Sequence, residues 1–115
     1  MLYMKSLSVG DLATSCYIVW ADGADTCVVI DPGAEPERIL AACGGHKIEA
    51  ILLTHGHFDH IGAVADRAQN GAEIVIHRED APMLNDTRLN ASWLVGWNVI
   101  APEATRTVRE GEEIT

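Results

Sequence analysis

The stretch IEAILLTHGHFDHIG, residues 48–62, constrains the fold most strongly. Residues 48–54 are almost all apolar, which is typical of a β-strand that is covered on both faces. A polar cluster follows at once, and then apolar residues recur at helical spacing. This spacing predicts a helix with one apolar face, formed by Ile61, Val64, Ala65 and Ala68. The sequence therefore predicts a buried strand that leads through a short polar loop into a helix.

The preceding residues predict two further strands and a helix. The β-branched runs at 16–21 and 26–31 flank the turn sequence DGAD, which favours a hairpin. Pro36 suits the first turn of a helix, and Gly44 and Gly45 suit its end. The predicted apolar face of that helix consists of Ile39, Leu40 and Cys43.

The remaining residues extend the alternation of strands and helices. Asn70 and Gly71 are predicted to end the helix after the cluster, and 73–77 is predicted to be a strand. We also expect a short helix near 78–85 and a turn in 109–115 that leads into a strand. Alternating strands and helices indicate an α/β sheet with helical cover.

Composition limits the classes of protein to which the chain can belong. With 115 residues, 48% hydrophobic and 22% charged, it suits one folded domain. The three cysteines form no pairing pattern, and no apolar run approaches the roughly 18 residues of a membrane span. We therefore expect a soluble cytoplasmic protein with no membrane partner. The net charge of −9 weighs against a nucleic-acid partner.

The polar cluster contains His55, His57, Asp59 and His60. In an extended segment His55 and His57 can point the same way, whereas Asp59 and His60 begin the helix and diverge. Two such pairs suit two metal ions, zinc first and then iron or manganese. A two-metal site can generate a hydroxide nucleophile near neutral pH. The alternative is a polar loop whose histidines only cap the helix.

The motif THGHFDHIGA resembles the HxHxDH signature of the metallo-β-lactamase superfamily. The flanking stretches TSCYIVW, VVIDPGAEPERIL and GAEIVIHREDAPMLND are similar to that family's other segments and follow in its order. The resemblance covers essentially the whole chain and is greatest to glyoxalase II-like hydrolases. It implies the N-terminal half of an αββα sandwich, with a mixed sheet and helices on one face. Residues 1–115 would form one partial domain that ends before the second metal-ligand segment.

The resemblance also implies roles for individual residues. His55 and His57 would bind the first metal and Asp59 and His60 the second, with Asp59 as the catalytic residue that orients the hydroxide. Asp31 would be a supporting acid beside the site, or simply the residue that opens the Asp-Pro-Gly turn.

Several ligands of the family are missing from this chain. The second half of family members supplies two more histidines and a bridging aspartate, whereas His46 and His77 here are expected to be structural. Metal occupancy is therefore expected to be partial or absent. The sheet face that the second half would cover should be open, so we expect homo-oligomers that associate through this face. Trp93 and Trp97 either take part in that contact or pack locally as an i, i+4 pair.

The leading functional hypothesis is a metal-dependent hydrolase of a thioester or a related ester or amide bond, inactive as an isolated half. The alternative is a truncated metal-binding fragment without enzyme activity. An RNA-processing nuclease shares HxHxDH, but the charge of −9 disfavours it. Iron-dependent persulfide oxidoreductases remain a further alternative, whereas flavodiiron proteins carry Glu in place of His57.

Overall fold

A computed structural model describes residues 1–68 and 71–111. The elements in chain order are β1 (Leu2–Val9), β2 (Thr14–Ala21), β3 (Thr26–Ile30), α1 (Pro36–Ala42), β4 (Lys47–Leu52), α2 (Phe58–Ile61), α3 (Val64–Arg67), β5 (Glu73–His77), two 3₁₀ helices (Ala81–Asn85 and Ser92–Val95) and β6 (Arg106–Val108). None of the helices in these ranges is long and apolar enough to cross a membrane.

The six strands form one mixed sheet in the order β1-β2-β3-β4-β5-β6. The pairs β1/β2 and β2/β3 are antiparallel, and the three later pairs are parallel. A parallel neighbour needs a crossover, and α1 supplies it between β3 and β4. The mixed α/β sheet that the sequence predicts is confirmed.

One face of the sheet packs against the helices and carries the core. Ile18 of β2 lies opposite Val29 of β3, and both side chains are fully buried. The helices contribute Ile39, Ile61 and Val64 to the same buried cluster. This burial of aliphatic side chains is the main contribution to the stability of the domain.

The opposite face, which we call the open face, is also apolar. Cross-strand pairing aligns Met4 with Val19, Val19 with Val28, and Val28 with Ala50. The Met4 side chain is exposed, and those of Val19, Val28 and Ala50 are half-buried. These four residues define the centre of the open face.

Four details differ from the sequence-based predictions. Strand β1 was not predicted, and β6 lies in a segment that was expected to be irregular. Leu40 is 48% exposed, because only Ile39 and Cys43 of the predicted face point into the core. The helix after the cluster is divided into α2 and α3, and the predicted helix at 78–85 is a 3₁₀ helix that begins at Ala81. Asn70 and the strand predicted at the end of the chain lie outside the described residues.

Candidate metal centre

The polar cluster lies where the parallel strands β3 and β4 end. Asp31 follows β3 directly, and the backbone N–H of Asp31 donates to the Leu52 carbonyl at 3.0 Å. The segment from Thr54 to His60 follows β4. Because the carboxyl ends of adjacent parallel strands meet at one edge of a sheet, Asp31 and the cluster are brought together there.

Asp31 is 3% exposed and connects two parts of the site. Its Oδ1 accepts a hydrogen bond from the backbone N–H of Thr54 at 2.8 Å, and its Oδ2 accepts one from the Thr54 hydroxyl at 2.5 Å. Oδ2 also lies 3.0 Å from Nδ1 of His60. Its backbone has a φ of 55°, which ends the strand. Asp31 therefore serves both as the turn residue and as an acid beside the cluster.

Three side chains of the cluster offer ligand atoms at one point. Ligand atoms of His55, Asp59 and His60 all lie within 4.8 Å of one another. The rings of His55 and His60 are 3.8 Å apart between centroids, and Oδ2 of Asp59 is 3.3 Å from Nε2 of His60. Two imidazoles and one carboxylate form a donor set that suits zinc or iron.

Nδ1 of His60 gives a further reason to expect a cation here. This nitrogen is buried and forms no hydrogen bond, although the Asp31 carboxylate is close enough for an ion pair. A buried polar atom without a hydrogen bond is costly, and a metal ion held by this imidazole would polarise the ring and strengthen its pairing with the Asp31 carboxylate. The residues present therefore fit a metal ion.

His57 occupies a different position from the other three residues. Its side chain is exposed, and it precedes α2 in an extended conformation with φ −64° and ψ 150°. Its ring lies 4.9 Å from the ring of His55 in an edge-to-face arrangement. The structure thus groups His55 with Asp59 and His60, and places His57 beside this group.

The surroundings of His55 lower the pKa of its imidazole and so favour the neutral form. Partial burial lowers the pKa of its imidazole, the neighbouring His60 and His57 lower it further, and Asp31 and Asp59 act in the opposite direction. A neutral imidazole has a free lone pair, which a metal ion requires. His55 is therefore ready to bind a cation near neutral pH.

Two threonines that the sequence analysis did not single out hold the acidic residues. The Thr14 hydroxyl donates to Oδ2 of Asp59 at 3.0 Å, and Thr54 binds Asp31 as described above. Thr14 lies 45 positions before Asp59, so no local spacing could have indicated this contact. Thr54 lies directly before the cluster in the sequence, and only this position could have indicated that it belongs to the site.

Two glycines allow the loop after β3 to lie against α2. A Cβ on Gly33 would come within 1.8 Å of the Asp59 carbonyl oxygen, and a Cβ on Gly62 within 2.2 Å of the Gly33 carbonyl oxygen. Any side chain at either position would push these backbones apart. The two glycines therefore set the position of Asp59 relative to Asp31.

The other two histidines lie away from the cluster and make local contacts. Nδ1 of His46 is 2.9 Å from the Cys43 carbonyl oxygen, and Nδ1 of His77 accepts a hydrogen bond from the Glu79 backbone N–H at 3.1 Å. Both positions agree with the structural roles that the sequence analysis expects.

The structure combines a mixed sheet, helices on one of its faces and an HxHxDH cluster at its edge. The family model of the metallo-beta-lactamase superfamily matches residues 9–114, and the chain belongs to that superfamily. Among curated proteins, it is 32% identical over 123 residues to the probable metallo-hydrolase YqgX of Bacillus subtilis. That alignment covers 96% of this chain and 53% of YqgX.

Solved structures show the same fold. The BLEG-1 B3 metallo-beta-lactamase superimposes with a TM-score of 0.88 at 29% identity, over 98% of this chain and 56% of that one. TTHA1623 in a di-iron-bound form superimposes with a TM-score of 0.79 at 33% identity, over 96% of this chain and 56% of that one. The chain thus spans about half the length of these relatives.

Proposed function

We propose that this chain is the metal-binding part of a metal-dependent hydrolase that cleaves a thioester or a related ester or amide bond. The observation that carries the proposal is the convergence of His55, Asp59 and His60 on one point. A hydroxyacylglutathione hydrolase of Yersinia enterocolitica supports the thioester class, with 44% identity over 63 residues. That alignment covers 51% of this chain and 25% of the Yersinia protein, so the substrate class is a proposal.

The metal we propose is zinc, with iron or manganese as alternatives. His55, Asp59 and His60 would hold it, and His57 lies close enough to His55 to contribute to an adjacent second ion. When bound, such an ion supplies Lewis acidity and lowers the pKa of a coordinated water toward neutrality. The di-iron-bound form of TTHA1623 supports the iron alternative.

The chain's own residues position the ligands. The Thr14 hydroxyl donates to Oδ2 of Asp59, the oxygen that also lies 3.3 Å from Nε2 of His60, and so orients this carboxylate. Asp31, itself held by Thr54, lies 3.0 Å from Nδ1 of His60 and would pair with that ring once a metal ion is bound to it. A thiol leaving group has a pKa of about 8.5, so it departs with little help from a general acid.

The isolated chain is expected to turn over little or no substrate. The described residues offer three converging ligands and His57, whereas a two-metal site requires more donors. This leaves a non-enzymatic metal-binding fragment as the second candidate. The net charge of −9 speaks against an RNA substrate, and we propose a small-molecule substrate instead. The three free cysteines support a reducing cytoplasmic location.

The test has two parts, carried out on protein purified without added metal or chelator. Elemental analysis should find bound zinc or iron that is lost in the His55→Ala variant. Hydrolysis of S-lactoylglutathione should match that of the His57→Ala variant. Metal-dependent turnover above this control would establish the hydrolase and refute the expected inactivity. Absence of bound metal would contradict both candidates, because each requires the cluster to hold an ion.

A further inference from the structure

A cavity of about 490 Å³ lies at the end of β4 that is far from the candidate metal centre. Its walls come from α1, the turn between α1 and β4, the first two residues of β4 and the end of α3. Lys47 begins β4 and Leu52 ends it, and a strand rises about 3.3 Å per residue, so roughly 17 Å separates the two ends. None of the described lining residues belongs to the group of candidate metal ligands.

Basic side chains outnumber acidic ones in the lining of this cavity. Lys47, Arg67 and His46 are basic, and the exposed Asp66 is the one acid among the described lining residues. The whole chain has the opposite balance, with 17 acidic residues against 8 lysines and arginines. A concave surface with an excess of one charge concentrates ions of the opposite sign. The cavity therefore favours an anion.

The guanidinium of Arg67 has a donor without a partner. Its Nε is buried and forms no hydrogen bond. None of the ion pairs within residues 1–68 and 71–111 includes Arg67 or Lys47. A buried nitrogen that lacks an acceptor is costly, so an acceptor supplied by a ligand would stabilise the protein. The planar guanidinium can donate two parallel hydrogen bonds to an oxyanion such as phosphate.

His46 is held so that one ring nitrogen is left for a ligand. Its Nδ1 lies 2.9 Å from the Cys43 carbonyl oxygen, and because a carbonyl only accepts, this nitrogen carries the proton. The ring also packs against Trp20, with centroids 5.4 Å apart. Nε2 can then accept a proton from a ligand or, in the charged imidazole, donate one. A phosphate monoester, whose second pKa is about 6, suits both states, whereas a carboxylate at neutral pH has no proton to donate.

The cavity also has an apolar wall. Leu40 is 48% exposed and contributes to the lining together with Ile48. The Leu40 side chain is thus available to a ligand, because the core does not use it. A volume of about 490 Å³ is typical of pockets for small organic molecules, so it leaves room beside a phosphate group.

We propose that this cavity binds a small phosphate monoester with an apolar organic part. Lys47, Arg67 and His46 bind the phosphate, whose three terminal oxygens can accept a hydrogen bond from each of them. Leu40 contacts the organic part. The ligand lies outside the candidate metal centre, so it is not the substrate of the proposed hydrolase, and the assignment does not depend on that function.

The experiment measures binding of phenyl phosphate by isothermal titration. Inorganic phosphate, which lacks the organic part, and benzyl alcohol, which lacks the charge, are the comparison compounds. Phenyl phosphate should bind at least about tenfold more tightly than either, because it uses both the basic and the apolar wall. Absence of binding at about 10 mM phenyl phosphate, or equal affinity for phenyl phosphate and benzyl alcohol, would overturn the proposal.

Matched variants localise the binding. Arg67→Gln should weaken binding of phenyl phosphate about tenfold, and Lys47→Gln, at an exposed position that tolerates substitution, about fivefold. Arg78→Gln makes the same charge change at an exposed position outside the cavity and should have little effect. Leu40→Ala should weaken binding of phenyl phosphate about threefold and leave that of inorganic phosphate unchanged, and Leu94→Ala is its control. Unchanged binding in both Arg67→Gln and Lys47→Gln would refute the assignment.

A further variant separates this cavity from the candidate metal centre, because a bound metal ion can also hold a phosphate. If the ligand occupies the cavity, His55→Ala should bind phenyl phosphate as tightly as the parent chain does. Loss of binding in His55→Ala together with retention in Arg67→Gln would place the phosphate at the metal centre and overturn the proposal.

Discussion

The carboxylate of Asp31 is bound through both of its oxygens by Thr54, once by the backbone N–H and once by the hydroxyl. This pair joins the end of β3 to the end of β4 at the edge of the sheet where the candidate metal ligands lie. It is the contact through which the predicted turn residue becomes part of the site.

Asp31→Ala should lower the free energy of unfolding by about 3 kcal/mol. The substitution leaves the Thr54 N–H without its acceptor and places alanine at a φ of 55°. Urea unfolding monitored by circular dichroism measures the change. Asp25→Ala, before β3 at the opposite end of the strand, is the control and should cost less than about 0.5 kcal/mol. Equal losses in the two variants would mean that the Thr54 contact contributes nothing.

Metal affinity should depend unequally on the three histidines of the cluster. His55→Ala and His60→Ala each remove a member of the converging group, and we expect zinc affinity to fall about tenfold or more. His57→Ala should have a smaller effect, because this side chain lies beside the group. Competition with a chromophoric chelator measures the affinities, and His46→Ala is the control. A larger loss of zinc affinity for His57→Ala than for His55→Ala would contradict the grouping of His55, and not His57, with the other two ligands.

The stability of the metal-free chain should fall as the pH decreases below about 6.5, in part because of His55. Burial lowers the pKa of this imidazole in the folded state, so the unfolded chain binds more protons in this range. Stability rises with pH wherever the unfolded state holds more protons, and the contribution is lost between the unfolded and the lower folded pKa. Urea midpoints from pH 7 to pH 5 should therefore decrease less in His55→Gln than in the parent chain. Equal decreases of the urea midpoint in both proteins would show that His55 does not contribute to the pH dependence of stability.

The open face should lead the chain to self-associate at micromolar concentration. Its central side chains, including Val19 and Val28, are apolar and only half-buried, and such patches favour association. Val28→Lys should shift the mass measured by light scattering toward the monomer. Ala41→Lys, exposed on α1, is the control. A monomeric parent chain would exclude this association.

The two tryptophans have separate partners in the monomer, which bears on their role in that association. The Arg88 guanidinium lies 4.9 Å from the Trp93 ring, and Trp97 packs on Phe58. Trp93 and Trp97 thus contact different residues in place of the i, i+4 packing that was one of the two alternatives for them. Replacement of both by Ala tests their part in self-association, and an unchanged mass would show that they have none.

The sequence predicted the elements whose apolar pattern reports burial directly. Strand β4 and the cluster follow from the apolar run and the histidines after it, and β5 agrees with the predicted 73–77. Strand β1 was not predicted from the sequence. It is an edge strand with mostly exposed residues, so burial produces little alternation of apolar and polar residues in it. Leu40 was predicted to be buried and is exposed. Helical spacing identifies the apolar face of a helix, but it does not show which residue at the margin of that face lies outside the core.

In the site, contacts between residues that are distant in the chain could not be predicted from the sequence. The four residues of the HxHxDH motif are neighbours in the chain, and their spacing is visible in one sequence. The contact of Thr14 with Asp59 and that of Gly33 with Gly62 join separate elements. Such contacts depend on how the strands pair and where the loops cross, which no local pattern records.

The order of the strands has a consequence for how the chain folds. Each strand of the sheet pairs with the strand that precedes it in the sequence, from β1 to β6. During synthesis from the N-terminus, each new strand can therefore add to an edge that is already formed, without waiting for a later segment to insert. Asp31, Thr54 and the cluster all precede α3, but the Phe58 N–H donates to the Asn90 carbonyl at 2.9 Å, so the candidate site is complete only after the segment that follows β5 has been synthesised.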